Sequence, residues 1–318
     1  MSNRAYTRGL HDLGNSVYAY LQPDGSWGWS NAGIIVDGSA SLLVDTLYDL
    51  KLTGTMLATM RQSIPAAAAI DMLVNTHANG DHCYGNQLVG ATRIIASART
   101  AEEMLEMPPE RMAMLMKQAS ALGAFGTFAS RIFAPFDFEN ITLTPPDSTF
   151  EGQLDLRVGT KTVRLLEVGP AHTRGDTLVY VPDDKVIFTG DILFVDSHPI
   201  LWAGPVSNWI RACETILSLE VETIVPGHGP ITDKQGVARL KGYFEYLFHE
   251  TRRCYKAGLS VLDAAMTISM DAYATWLDRE RVAINVASIY RELGSDHEYA
   301  GTLGLFSLAS EYAQRAGL

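Results

Sequence analysis

His77, Asp81 and His82 fall within six residues, in the segment THANGDH, and three more metal-binding side chains recur downstream: His172 in GPAHTRGDT, Asp191 in FTGD and His228 in PGHG. Imidazole and carboxylate together suit Zn²⁺, Fe or Mn²⁺, whereas Ca²⁺ calls for oxygen ligands only. A lone histidine is more often a packed structural residue than a ligand. Here four of the chain's eight histidines stand in this series, each at the end of an apolar run, and that recurrence favours one cation site assembled from distant segments.

The elements that must position these residues can be read from the pattern around them. A short strand, Ile70 to Asn75, runs directly into THANGDH, and Gly80 lets the chain turn into a helix. The same grammar recurs in TVRLLEV before His172, KVIF before Asp191 and ETIV before His228. Polar residues gathered at strand ends on one edge of a sheet are where α/β folds assemble sites. Upstream, IIV and SLLVD flank an Asp-Gly turn and predict a hairpin, followed by a helix from Leu50 through Met60 to Ile64. Trp27 and Trp29 sit in a Gly-rich loop, PDGSWGWSN, which suits either core packing or a flap over a ligand. The Met- and Phe-rich stretch 104–138 suits core packing, a substrate lid or a subunit contact. Residues 1–232 read as the catalytic core and 233–318 as a helical extension. Its segment WLDRERVAINVASIYREL is amphipathic, with an apolar stripe that packs on the body or on a second copy as a homodimer.

Composition narrows the partners. Twenty-five Lys and Arg against 36 Asp and Glu leave a net charge of −11, a field that repels nucleic acid and anionic membranes. No apolar run reaches the ~18–20 residues that cross a bilayer. The N-terminus lacks the apolar core of a secretory signal, so the cytoplasm is the expected compartment. Cys83, Cys213 and Cys254 are far apart and form no CxxC pair, which argues for reduced thiols.

The series THANGDH, GPAHTRGD, FTGD and PGHGP resembles the metallo-β-lactamase-fold hydrolases, over roughly residues 33–232. The resemblance implies an α/β fold of four layers, an αβ/βα sandwich of two mixed sheets with outer helices and a metal site at its edge. It further implies one pocket built from Asp81, His82, His228 and Asp191, and another from His77, His172 and Asp191 completed by a second histidine of the HxHxDH pattern. Asn79 stands at that last position. A neutral amide is a poor zinc ligand, so a single strong zinc site is expected, with Fe or Mn as other metals, as in the chlorothalonil hydrolytic dehalogenases that this variant resembles. The resemblance places Asp45 where an acid orients metal ligands.

The expected activity is hydrolysis of a small, fairly apolar molecule (ester, lactone, thioester or aryl halide) by a metal-bound hydroxide. Asp81 would aim the attack and Asn79 would donate to a developing oxyanion. His198 is a candidate proton donor to the leaving group, and Trp27, Trp29 and Trp202 are candidate pocket walls. A mononuclear-iron redox enzyme and a non-catalytic ligand-binding protein are the competing readings.

Overall fold

The computed structural model describes residues 5–296 and 301–318. Two sheets pack face to face. The first has seven strands in sequential order: β1 (Gly9–Gly14), β2 (Val17–Leu21), β3 (Ala32–Asp37), β4 (Ala40–Val44), β5 (Met72–Val74), β6 (Arg93–Ser97) and β7 (Ser148–Phe150). Strands β1 to β4 form an antiparallel meander, and β4 to β7 run parallel. The second sheet contains β8 (Gln153–Val158), β9 (Lys161–Glu167), β10 (Thr177–Val181), β11 (Val186–Phe188) and β12 (Thr223–Val225), with only the β11–β12 pair parallel.

Period-two alternation explains the layers. On β3 and β4, Ile35, Leu42 and Val44 face inward and meet Leu156, Val158, Val163, Leu165, Val179 and Phe188 of the second sheet. Their neighbours Ile34 and Leu43 face outward onto Met56, Leu57 and Met60 of helix α1 (Leu50–Ser63), which Asp49 caps at Leu52 N. The outer face of the second sheet, carrying Leu178, Tyr180, Ile187 and Ile224, shares a core with the remaining helices. This is the αβ/βα sandwich.

Short helices α2 (Gly80–Cys83) and α3 (Ala98–Met104) lead to α4 (Pro109–Gln118) and α5 (Gly123–Phe133). The Met- and Phe-rich stretch is therefore helical, with Met104, Met112, Phe128, Phe133, Phe136 and Phe138 buried and Met114 exposed. Beyond β11, α6 (Val206–Ser218) packs on α7 (Lys234–Lys256), whose Val237, Leu240, Phe244, Leu247, Thr251 and Cys254 form one stripe at alternating spacings of three and four. Helices α8 (Val261–Thr267), α9 (Arg281–Glu292) and α10 (Gly301–Ala316) follow. Every residue of α9 from Arg281 to Tyr290 is buried, as in a helix enclosed on all sides.

The hairpin expected around the Asp-Gly turn is β3–β4, and the helix expected from Leu50 is α1. The β1–β2 hairpin was not anticipated, although Asn15 and Ser16, both at positive φ (51° and 59°), turn it tightly.

Trp209 is fully buried on α6, donates Nε1 to Ile192 O at 2.9 Å, and lies against His172 and Phe244. Trp209→Ala is expected to cost about 3–5 kcal/mol by urea unfolding; a loss below about 1 kcal/mol would contradict this account of the core.

Candidate metal centre

Three site residues stand three places beyond a strand: His77 after Val74, Asp191 after Phe188 and His228 after Val225. Since β5 belongs to one sheet and β11 and β12 to the other, their ends meet at a shared edge of the sandwich. Asp45 follows β4 directly with φ of 61°, a left-handed conformation that turns its carboxylate towards the same edge. One-turn helix α2 brings Asp81 and His82, and the loop from β9 to β10 brings His172.

Each of the four imidazoles is held through Nδ1. His82 Nδ1 is 2.9 Å from Asp45 Oδ2, His172 Nδ1 is 2.7 Å from Ile200 O, and His228 Nδ1 is 3.1 Å from Gly25 O. His77 Nδ1 is 3.0 Å from Thr76 Oγ1, whose own hydroxyl donates to Asp45 Oδ2 at 2.7 Å. Carbonyls and carboxylates only accept, so in the neutral rings the proton sits on Nδ1 and the Nε2 lone pair faces inward. Asp45 accepts from Thr76 N as well and so positions His77 and His82 together.

The inward-facing atoms converge. Asp191 Oδ1 lies 3.1 Å from His82 Nε2, and Asp191 Oδ2 lies 3.3 Å from His172 Nε2, 3.4 Å from His228 Nε2 and 3.8 Å from His77 Nε2. Asp81 Oδ2 is 3.2 Å from His228 Nε2 and 3.9 Å from His82 Nε2. Donors about 2.0–2.1 Å from one tetrahedral ion stand about 3.3 Å apart, so the spacing matches a cation cage. His77 Nε2, His82 Nε2 and Asp191 Oδ1 are buried without a hydrogen-bond partner. Unmet acceptors aimed at a common point fit a divalent cation, in two groups: His77, His172 and Asp191, and Asp81, His82 and His228.

Electrostatics agree. Burial works against charge on His82 and His228, but the Asp191 and Asp81 carboxylates outweigh it, holding His82 well above its ordinary value and His228 at about 9. Burial also opposes the Asp191 carboxylate, yet His228, His82, His172 and His77 keep it well below the usual range. His77 and His172, where burial dominates, are pushed down. The carboxylates thus favour positive charge at the places that a cation would take.

Asn79 lies on the wall of this pocket, and its amide Oδ1 is 2.6 Å from His172 Nε2. Because Ile200 O takes the Nδ1 proton, a neutral His172 offers a lone pair at Nε2; a half-turn of the amide meets it with NH₂. Either way the amide engages the atom of His172 that a metal in the first group would need.

A cavity of about 120 Å³ opens beside these residues, lined by Trp27, Tyr48, Tyr84, Met112, Phe133, Trp202, Arg281 and Phe306 among others. Trp27 and Trp202 thus face the cavity. Trp29 does not: it packs on Phe136, with Arg8 over its ring. His198 also lies elsewhere, fully buried between Tyr243 and Trp276, with burial and nearby Arg281 and Arg279 pushing it down to about 3. A ring so enclosed has no path to a leaving group. Sequence reasoning missed Tyr48, Arg281 and Phe306. Tyr48 lies three residues past Asp45, while nothing in the run DRER distinguished Arg281 from a solvated charge.

The extension also acts on the cage. Asn285 of α9 accepts from Leu201 N and donates to Pro199 O, and Arg281 donates to His198 O. These bonds fix the loop whose Ile200 O orients His172.

The chain belongs to the metallo-β-lactamase superfamily, whose family model matches residues 25–228. It is 23% identical over 145 residues to the 2,4-dinitroanisole O-demethylase subunit alpha of Nocardioides sp. (strain JS1661), covering 44% of this chain and 38% of that one. It is 30% identical over 96 residues to the hydroxyacylglutathione hydrolase of Brucella ovis, covering 30% of this chain and 37% of that enzyme. The matches thus span well under half the length of these curated relatives. Among solved structures, the inverting sec-alkylsulfatase of Pseudomonas sp. superposes with a TM-score of 0.68 at 15% identity, over 91% of this chain and 51% of that one. A metallo-β-lactamase from Pontibacter korlensis gives 0.55 at 17% identity, over 75% and 99%. Both share the fold. Divalent metal binding is the common property of the superfamily that the His and Asp clusters match.

Two outcomes are expected. A Cβ at Gly227 would stand 2.0 Å from Asp191 Oδ1 and 2.7 Å from the Gly190 carbonyl carbon. Gly227→Ala should therefore displace Asp191 and lower zinc affinity at least about tenfold with unchanged circular dichroism; a full metal complement would count against it. Because His228 titrates near 9, protons compete with metal below that pH. Zinc affinity should rise with pH between about 6 and 8, about tenfold per unit for each proton displaced. Chelator competition corrected for the chelator's own protonation checks this, and a flat profile would contradict it.

Proposed function

We propose that this chain is a metal-dependent hydrolase of a small, fairly apolar substrate, with one strong zinc site formed by Asp81, His82, Asp191 and His228. The observation that carries the reading is the convergence of their inward-facing atoms at 3.1–3.9 Å beside an apolar cavity. When bound, such an ion polarises a substrate oxygen and brings the pKa of water from 15.7 towards ~7.

The chain's own residues supply the remainder. Asp81, the more accessible of the two carboxylates, lines the cavity and can accept a hydrogen bond from the attacking water, fixing its direction. Asp191, at the bottom of the cage, holds His82 and His228 in register. Trp27, Phe133 and Phe306 exclude bulk water and favour an apolar substrate body, which strengthens every polar contact within. Asn79 lies on the cavity wall, and with one hydrogen of its NH₂ on His172 the second is left to donate to an oxygen gaining negative charge.

The relatives support hydrolysis as the reaction class: the hydroxyacylglutathione hydrolase and the sec-alkylsulfatase are hydrolases by name. Ester, lactone, thioester and aryl halide all suit the pocket; the alkylsulfatase likeness adds sulfate esters and the demethylase likeness aryl ethers. A cytoplasmic setting is in keeping with three buried free cysteines, and among the described residues no helix is long and apolar enough to cross a membrane.

Metal analysis tests the site directly. Protein purified without added metal is expected to carry about one zinc per chain. Asp81→Ala or His228→Ala should lose both the zinc and turnover on a panel of these substrates; full activity in either would refute the reading. Asn79→His should raise the content towards two per chain, and unchanged stoichiometry would refute the role given to the amide.

A further inference from the structure

Arg281 is the least expected residue of the pocket. Its side chain is 1% exposed, yet it lines the cavity shared with Asn79, Asp81, His172, Asp191 and His228. The guanidinium carbon sits 4.3 Å from the Trp27 ring centroid and 5.5 Å from that of Phe194, and Phe194 stacks on His228 at 5.0 Å and 3°. Aromatic faces hold a guanidinium by its plane and leave its edges free for hydrogen bonding.

Those edges are incompletely used. Nη1 donates to His198 O at 2.9 Å, and Nη2 lies 3.0 Å from Asp278 Oδ2. Nε is buried with no hydrogen-bond partner. The neighbouring carboxylate does not take it: Glu280 is turned onto Trp27 Nε1 and Arg131. Asp278 faces Nη2 and does not take Nε. Nε thus lacks an acceptor in a residue that lines the cavity, and a carboxylate or sulfate is the ligand chemistry that fits a planar guanidinium fork best.

We propose that Arg281 recognises an anionic group, so that the pocket takes a small organic anion, its charged end on the guanidinium and its apolar body against Trp27, Phe133 and Phe306. Only the word substrate rests on the hydrolase reading; the receptor itself does not. The two cage carboxylates do not repel such a ligand once a divalent ion offsets them, and Glu103 at the rim is paired with Arg174 at 3.6 Å. The cavity, about 120 Å³, is comparable with the roughly 150 Å³ that admits a benzene ring.

Benzoate and benzamide share a shape and differ in charge, so they isolate this contact. Binding is followed by calorimetry and by tryptophan emission, on the full chain both stripped by chelator and reloaded with zinc. The stripped arm removes direct coordination of benzoate by metal. Wild type is expected to prefer benzoate at least tenfold once reloaded with zinc and to keep a smaller preference when stripped, where the cage carboxylates are not offset. Arg281→Met should erase the preference, read as the ratio of benzoate to benzamide affinity on the same protein, and Arg281→Lys, which keeps the charge but loses the fork, should lower that ratio at least threefold. Equal binding of the two ligands by wild type, or an undiminished preference in Arg281→Met, overturns the proposal. If circular dichroism shows Arg281→Met unfolded, Arg281→Lys decides, and unchanged benzoate affinity overturns it. Zinc content measured on the same wild-type preparation separates the two readings: zinc absent with the benzoate preference intact sinks the metallohydrolase alone, and zinc present with no preference sinks the anion receptor alone.

Discussion

Four imidazole lone pairs and two carboxylates, turned inward in a space closed to bulk water, repel one another unless positive charge lies among them. Protons can supply it, as the raised His82 and His228 show, and so can a divalent cation. The rest of the architecture serves this arrangement. Both sheets deliver residues three places past their strand ends. Asp45, Thr76, Ile200 and Gly25 each restrain one ring or more through Nδ1, and close backbone approach at Gly227 leaves Asp191 its place. A rigid set of ligands is costly to assemble without its cation and correspondingly selective for one.

Asn79 changes the balance between the two halves of the cage. A histidine there would add another inward lone pair; the amide bonds His172 instead. In the group of His77, His172 and Asp191 the Nε2 of His172 meets this amide, whereas no amide meets the group of Asp81, His82 and His228.

The strand-end residues were legible because local chain geometry fixes them. A short strand followed by a sharp turn presents its next few residues at the sheet edge whatever the surroundings, so the four motifs carried the edge site in their spacing. Walls formed by distant segments were not legible. Trp27 meets Glu280 across 253 positions, and Phe306 reaches the cavity from the last helix. Those contacts depend on how α9 and α10 pack, which an amphipathic pattern alone leaves open. His198 shows the same limit in reverse. Sequence places it seven residues beyond Asp191, but Arg281 and Asn285 draw its loop onto α9 and turn the ring away from the cavity.

The extension is therefore part of the site in two physical senses. It closes the cavity with Phe306 and Arg281, and through Asn285 it holds the loop whose Ile200 O sets the tautomer of His172. Because α9 is enclosed on all sides by the other helices, a change in its packing reaches His172 through only two hydrogen-bonded steps. The strand ends supply the cage, and Arg281 and Phe306 of the extension close walls that also carry Trp27, Tyr48 and Phe133. The residue types at the strand ends therefore point to a reaction class and say little about the substrate, and Arg281, whose Nε has no hydrogen-bond partner, lies outside the residues 25–228 that the family model matches.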